Sequence, residues 1–361
     1  MSDPEPRLTG PVLVVGAGLL GTSIALALRR ADVDVALSDV SREHVRIASG
    51  LGAANLTAAG VRPELVVVAV PPDALGTEIA AALQVHPQAV VTDVGSVKTD
   101  PLLEALEVAG EQAGGRYVGG HPMAGSERSG PLAASDSLFD GRPWAVTPHA
   151  GSRPEATELV LALVEVCGAT AVRLGPEEHD QAVARTSHLP HLLAALVAGR
   201  LADAPEGHLV LSGQGVRDVT RIAAGDPALW QQIVLANTTA LTALLRDVRD
   251  DVDTLLAAIG HRDREALADI LHRGVRGTAA IPGKHGGLPT PVATVFVTLA
   301  DHPGELARLF ADAGEVGVNI EDLRIDHDPA RDYGLAEVSV AASAADHLLT
   351  SLETRGWTVH R

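Results

Sequence analysis

The residues best equipped for chemistry lie in Gly119-Gly120-His121-Pro122-Met123-Ala124-Gly125-Ser126-Glu127-Arg128-Ser129-Gly130. Glycine, proline and serine at this density make a poor core element and a good shaped loop. An imidazole held there titrates near neutral pH and suits general acid–base work. Ser126 and Glu127, a few residues on, either line the same pocket or merely close the loop. A second motif, Asp93-Val94-Gly95-Ser96-Val97-Lys98, offers a serine able to exchange hydrogen bonds with a neighbouring hydroxyl or imidazole. Ser96 is equally suited to cap the next helix, and Lys98 is either a cationic neighbour or a solvated first-turn residue. Ser187-His188-Leu189-Pro190-His191 sets two histidines on one helical face. No H-E-x-x-H motif accompanies them, so substrate contact or structural hydrogen bonding is preferred to metal binding, more so for His191. Between Gln214 and Trp230, Asp218 and Arg221 are close enough to pair on a helix. An arginine steadied by an aspartate presents its fork to a carboxylate. Asp226-Pro227 reads as a helix start, with Asp226 as cap.

The elements that must hold these residues follow from apolar patterning. Pro11 to Val15 reads as a buried strand, then Gly16-Ala17-Gly18-Leu19-Leu20-Gly21 opens a helix through Arg30. Glycines at this spacing, between strand and helix, bring backbone N–H groups to a pyrophosphate. Asp39, closing a second strand, accepts ribose hydroxyls and repels a 2′-phosphate, which favours NAD over NADP, although Arg42 offsets part of that repulsion. Gly16, Gly18, Leu19, Leu20, Gly21, Asp39 and Val70, the last ending a third strand, are the candidate cofactor contacts. Further strands at Ala89 to Asp93, Arg116 to Gly119, Trp144 to Thr147 and Ala169 to Leu174 complete an α/β domain over residues 1–175. It is a Rossmann-type, doubly wound and mostly parallel sheet. His121 then faces a nicotinamide.

Residues 176–281 read as an all-α domain, with Ala/Leu-rich runs at Leu189 to Leu201, Leu229 to Leu245 and Val252 to Ile259. Apolar faces of that length exceed what one subunit covers and predict a homodimer. Pro190 should kink its helix and free a carbonyl near Thr186. Residues 282–291 are a Gly/Pro linker. Residues 292–361 follow the βαββαβ order of a small ferredoxin-like unit.

Composition narrows the partners. The formal charge is −18 with no basic stripe, which argues against nucleic acid. Aromatics are only 2%, so cores must be built from Ala, Leu and Val. The single cysteine, Cys167, ends an apolar run and reads as packing; it allows no intrachain disulfide framework. No apolar run approaches a membrane span and no signal segment is visible, so a cytoplasmic protein is expected.

Together these motifs, in this order from Val12 to Asp247, resemble the TyrA family, the prephenate and arogenate dehydrogenases of tyrosine biosynthesis. The resemblance implies NAD-dependent oxidative decarboxylation of a cyclohexadienol, with hydride leaving ring C4, carbon dioxide leaving C1 and the ring becoming aromatic. It implies that a neutral His121 accepts the C4 hydroxyl's proton, with a pKa near ~6 to 7, and that Ser96 orients both. Arg221, held by Asp218, would bind a substrate carboxylate; His191 would approach the side-chain end, with His188 and Ser126 in the same pocket. Prephenate is preferred to arogenate without a decisive residue, Glu127 being the candidate acidic partner for an amine. The tail, Asp301-His302-Pro303-Gly304-Glu305-Leu306 with Gly317-Val318-Asn319-Ile320, resembles an ACT domain. That implies His302, Asn319 and Ile320 as regulatory contacts and tyrosine as effector. Two rivals remain: a non-catalytic nucleotide and amino-acid sensor, which would not need a base facing nicotinamide, and a β-hydroxyacid dehydrogenase. The latter relies on a lysine in its helical part, and residues 177–277 contain none.

Overall fold

The computed structural model describes residues 8–125, 129–281, 291–327 and 333–361. It divides into two compact units, Met1–Thr254 and Leu255–Arg361. In the first, the order begins β1 (Val12–Val15), α1 (Leu19–Arg30), β2 (Val35–Ser38), α2 (Arg42–Gly50), β3 (Leu65–Val68), α3 (Leu75–Val85) and β4 (Val90–Asp93). It continues with α4 (Thr99–Ala109), α5 (Glu111–Gly114), β5 (Gly119–Pro122), β6 (Pro143–Thr147), α6 (Pro154–Val166) and β7 (Thr170–Arg173). Helices follow: α7 (Pro176–Val183), α8 (Leu189–Ala202), α9 (Gln214–Thr220), α10 (Pro227–Ala236) and α11 (Thr238–His261), within which the two units divide.

Strands β2-β1-β3-β4 form a parallel sheet, and a parallel bridge between Val91 and Tyr117 continues it toward β5-β6-β7. Valine-rich β3 is buried throughout and β1 is buried except at Val15, which is part-buried, as central strands flanked by helices require. The core is aliphatic; Val12, Val14, Ile24, Leu28 and Val67 pack on one side of the sheet, and Val66, Val68, Ile79 and Leu83 on the other. Of the few aromatics, Phe139 and Trp144 pack together with ring centroids 5.1 Å apart.

The sheet is mostly parallel, as expected, with one antiparallel pair where β6 meets β5: the chain returns from β5 without the helical crossover that a parallel neighbour needs. Two expectations change. Gly119-Gly120-His121-Pro122 is a strand rather than a loop. Its glycines serve close packing: a Cβ at Gly119 would strike Thr147 Oγ1, and one at Gly120 would lie 2.6 Å from the Asp93 carbonyl oxygen. Finally, the apolar run Leu229 to Leu245 is broken at the buried Asn237, which separates α10 from α11. The kink expected at Pro190 takes the form of a π turn over Ala184–His188. It places Pro190 in the first turn of α8, where its missing N–H costs nothing.

The second unit holds the end of α11, α12 (Arg264–Ala279), β8 (Val292–Ala300), α13 (Glu305–Glu315), β9 (Ile320–His327), β10 (Tyr333–Ala341), α14 (Ala345–Thr354) and β11 (Val359–His360). Its antiparallel sheet has the order β11-β8-β10-β9. Val295, Val297, Val338, Leu309, Leu348 and Leu352 form its core. The linker expected at 282–291 lies outside the described residues except for Pro291. No helix among the described residues is long and apolar enough to cross a membrane.

Candidate active site

The glycine fingerprint sits at the carboxyl end of β1. Gly16 has φ +105°, and any Cβ there would strike the Ala69 carbonyl oxygen. A Cβ at Gly21 would strike the Gly16 carbonyl oxygen, so this glycine lets α1 lie close against the strand end. Gly18 faces open space: no atom lies within 4 Å of its would-be Cβ. That bare backbone at a helix N-terminus is where a pyrophosphate fits. Leu19 and Leu20, in the first turn, and Val70, after β3, are part-buried around it. Asp39 anchors the loop: one carboxylate oxygen accepts from Ala17 N–H at 2.6 Å and the other from Ser41 N–H at 2.6 Å. Each oxygen retains a second lone pair for a ribose hydroxyl. The residues present therefore fit NAD.

The next strand ends carry the reactive groups. The Asp93 side chain, fully buried at the end of β4, accepts from Gly95 N–H at 2.8 Å, Gly120 N–H at 3.2 Å and the Tyr117 hydroxyl at 2.8 Å. It also pairs with Lys98, whose Nζ donates to the Gly120 carbonyl at 2.7 Å. Lys98 is 1% exposed and so belongs to the interior, not to a solvated first turn. A buried lysine needs such partners, because an unpaired charge there is very costly. Burial pulls its pKa down while Asp93 opposes that pull; the same burial and carboxylate keep Tyr117 protonated.

His121, carried by β5, is the meeting point. Its Nδ1 lies 2.9 Å from His179 Nε2, and His179 Nδ1 lies 2.9 Å from Asp180 Oδ1. An ionised carboxylate only accepts, so His179 carries its proton on Nδ1 and His121 donates from its own Nδ1. That tautomer leaves His121 Nε2 as an acceptor, without a partner among the described residues. Burial, then His179, Lys98 and His188, hold the His121 pKa well below 6.5. The expected titration near 6 to 7 is thus corrected downward. Asp180 also accepts from the backbone N–H groups of Lys98 and Thr99, each at 2.8 Å, tying the start of α4 to α7. Those contacts and His179 keep it ionised. Ser96 lies part-buried in the same β4–α4 turn, but among the described residues it makes no hydrogen bond to His121; His179 holds that place.

The helical residues are arranged differently from expectation. His188 is buried, with Nδ1 3.2 Å from Asn237 Nδ2, which also donates to the Asp180 carbonyl at 2.9 Å. Burial drives its pKa to about 4, so it is a neutral ring. His191 stacks on Trp230, centroids 3.5 Å apart, and bonds the Ile222 backbone. A Cβ at Gly225 would lie 2.6 Å from Trp230 Nε1 and 3.1 Å from His191 Cε1, so glycine closes the stack. Arg221 opens the 3-10 turn Arg221–Ala224, which packs on α8. The expected Asp218–Arg221 pair is absent among the described residues: Asp218 accepts from Gln214 at 2.9 Å. The helix α9 gives way to the tighter turn at Arg221, which removes the α-helical spacing that would pair them. Asp226 caps α10 through Ala228 N–H, as expected. Ser126 and Glu127 lie outside the described residues.

Sequence reasoning missed His179, Asp180, Tyr117 and Asn237. Only the adjacent His-Asp pair in an amphipathic helix hinted at them, and nothing in the spacing linked His179 to a histidine 58 residues earlier.

A dinucleotide cradle beside a neutral, hydrogen-bonded imidazole defines a nicotinamide-dependent dehydrogenase. Residues 24–173 match the nucleotide-binding domain, and residues 175–273 the dimerization domain, of prephenate dehydrogenase. The chain belongs to the prephenate dehydrogenase family. It is 36% identical to NovF of Streptomyces niveus, described as a "probable prephenate dehydrogenase", over 96% of this chain and 98% of that protein. It is 28% identical to the prephenate dehydrogenase of Bacillus subtilis, over 88% and 89% of the two chains. The crystal structure of the Aquifex aeolicus prephenate dehydrogenase, in complex with hydroxyphenyl propionate and NAD+, covers 74% of this chain. In that match 96% of the Aquifex chain is covered, at 29% identity and a TM-score of 0.66.

Proposed function

We propose that the chain oxidises and decarboxylates prephenate to 4-hydroxyphenylpyruvate, with His121 as the base. The observation that carries this reading is a neutral imidazole whose Nδ1 is held by His179 and whose Nε2 has no partner among the described residues. NAD⁺, held at the backbone of Gly16, Gly18 and Gly21 and by Asp39, would supply the acceptor for the hydride of ring C4. His121 Nε2 accepts the proton of the C4 hydroxyl, which relieves the positive character growing on that carbon. Lys98 and Asp93 fix the Gly120 backbone and thereby the height of the imidazole. Ser96 orients the substrate hydroxyl from the neighbouring turn. Arg221 receives a substrate carboxylate, and the His191–Trp230 stack holds its turn in place.

Because burial lowers the His121 pKa, the neutral base persists into more acidic solution than a free imidazole would allow. kcat/KM should therefore stay level through pH 6 to 7, the region of a reference imidazole's ~6.5, and fall only below it. A decline centred there would show a base with an ordinary pKa.

The helical domain leaves Leu209, Val210, Leu211, Leu235, Leu256 and Val275 exposed, which supports a homodimer. The βαββαβ unit supports an ACT-like regulatory role, with tyrosine as effector near His302, Asn319 and Ile320. Asn319 precedes β9 and donates to Glu321 at 2.9 Å. The deciding assay is NADH formation with prephenate and with arogenate, with and without tyrosine. Turnover of prephenate is expected; turnover of arogenate alone would reassign the substrate, and indifference to tyrosine would remove the effector.

A further inference from the structure

We propose that His179 is a positioning residue through which the substrate's proton leaves His121, so that the positive charge comes to rest one ring away, against Asp180. The inference rests on His121 being the base of the reaction proposed above.

The geometry is a line of three groups. His121 Nδ1, His179 Nε2, His179 Nδ1 and Asp180 Oδ1 are joined by two contacts of 2.9 Å. In the resting state each imidazole carries one proton, on Nδ1. The substrate O–H bond breaks as an N–H bond forms at His121 Nε2. The Nδ1–H bond of His121 then breaks as one forms at His179 Nε2. His121 ends neutral with its proton on Nε2, His179 ends as imidazolium, and Asp180 stays ionised. No electrons move in this step.

The surroundings favour that displacement. A cation on His121 would face Lys98 from the β4–α4 turn and the buried His188 from the π turn. Asp93, the nearest carboxylate on the sheet side, is already shared among Lys98, Tyr117 and two backbone N–H groups. A cation on His179 also faces His188, but it lies directly against Asp180, whose charge Lys98 and His188 feel too and whose side chain makes no ion pair with lysine or arginine among the described residues. His179 is 1% exposed, so such a charge forms only because a carboxylate receives it. Beyond Asp180 is a cavity of about 260 Å³, bordered by Asp100, Glu177, Gln181 and Thr238.

The test compares the unaltered enzyme with H179A and H179Q, measuring kcat, the KM for prephenate, NAD binding and melting temperature. Removing the relay while leaving the base should lower kcat about ten- to a hundredfold, less than the 10²–10⁴ associated with a base itself. KM and NAD affinity should change less than about twofold, which is about 0.4 kcal/mol in binding. Added imidazole should restore part of the H179A turnover, and more so as the free-base fraction rises with pH. The side chain of H179Q accepts the His121 N–H but takes no proton, so it should remain slow although it folds. Normal kcat in H179Q would overturn the relay. So would a loss in H179A that comes with weaker NAD binding and no imidazole rescue. Inactivity of the unaltered enzyme on both prephenate and arogenate would remove the reaction itself, an outcome distinct from normal variants of a working enzyme.

Discussion

His121 stands on a strand whose supporting carboxylate, Asp93, takes hydrogen bonds from four donors, while Arg221 sits on an exposed 3-10 turn steadied by one histidine–tryptophan stack. The first arrangement is buried, charged and over-determined; the second is a surface turn with a single aromatic clamp. The contrast separates two tasks. A base that takes a proton from a defined atom must be held within tenths of an ångström, and a packed sheet provides that. A cation that greets a carboxylate must allow substrate to enter and product to leave, and a lightly held turn provides that.

Breaking the rigid half should have the largest effect. H121N is expected to retain NAD affinity, measured by fluorescence titration, while losing about 10²–10⁴ in turnover. Near-normal turnover would transfer the chemistry to another residue. Next in size is K98M, which leaves Asp93 buried and unpaired. A loss of about 3–5 kcal/mol in unfolding free energy is expected from denaturant melts. A neutral result would mean that Asp93 takes up a proton and that the pair adds little rigidity. The smallest effect falls on the other half. W230L removes the ring beneath His191, a contact of about 0.5–1.5 kcal/mol, and should raise the KM for prephenate roughly two- to tenfold at nearly constant kcat. A fall in kcat with KM unchanged would show that the turn is part of the proton machinery and would erase the contrast.

What the sequence revealed follows the same division between local and distant causes. The cradle at Gly16, Gly18 and Gly21 was legible because strand, glycines and helix are consecutive, and Asp226-Pro227 because a cap acts on its own next turn. The βαββαβ order of the tail was legible from the alternation of apolar runs. Gly119 and Gly120 were misread, because glycine marks both a free backbone and a crowded one, and only the facing Thr147 and Asp93 decide which. Asp218 and Arg221 were misread because pairing assumed α-helical spacing up to Arg221, where the chain tightens. The relay was invisible, since α7 and β5 meet only after folding. Lys98 was left undecided for the same reason: its partners lie on two other strands.

The widened turn at Ala184–His188 holds more backbone than an α-helix of the same rise. The extra residue is absorbed locally. Its loss would let the segment relax to ordinary winding with the flanking turns nearly in place, because five residues of wide turn sweep about the same angle as four of α-helix. The same loss within the regular winding of α7 would rotate everything after it by about 100°, one residue's share of a 3.6-residue turn, and would swing His191 off Trp230 although every side chain in the stack remained encoded. Shortening by one residue should therefore be better tolerated in the wide turn than in the helix before it.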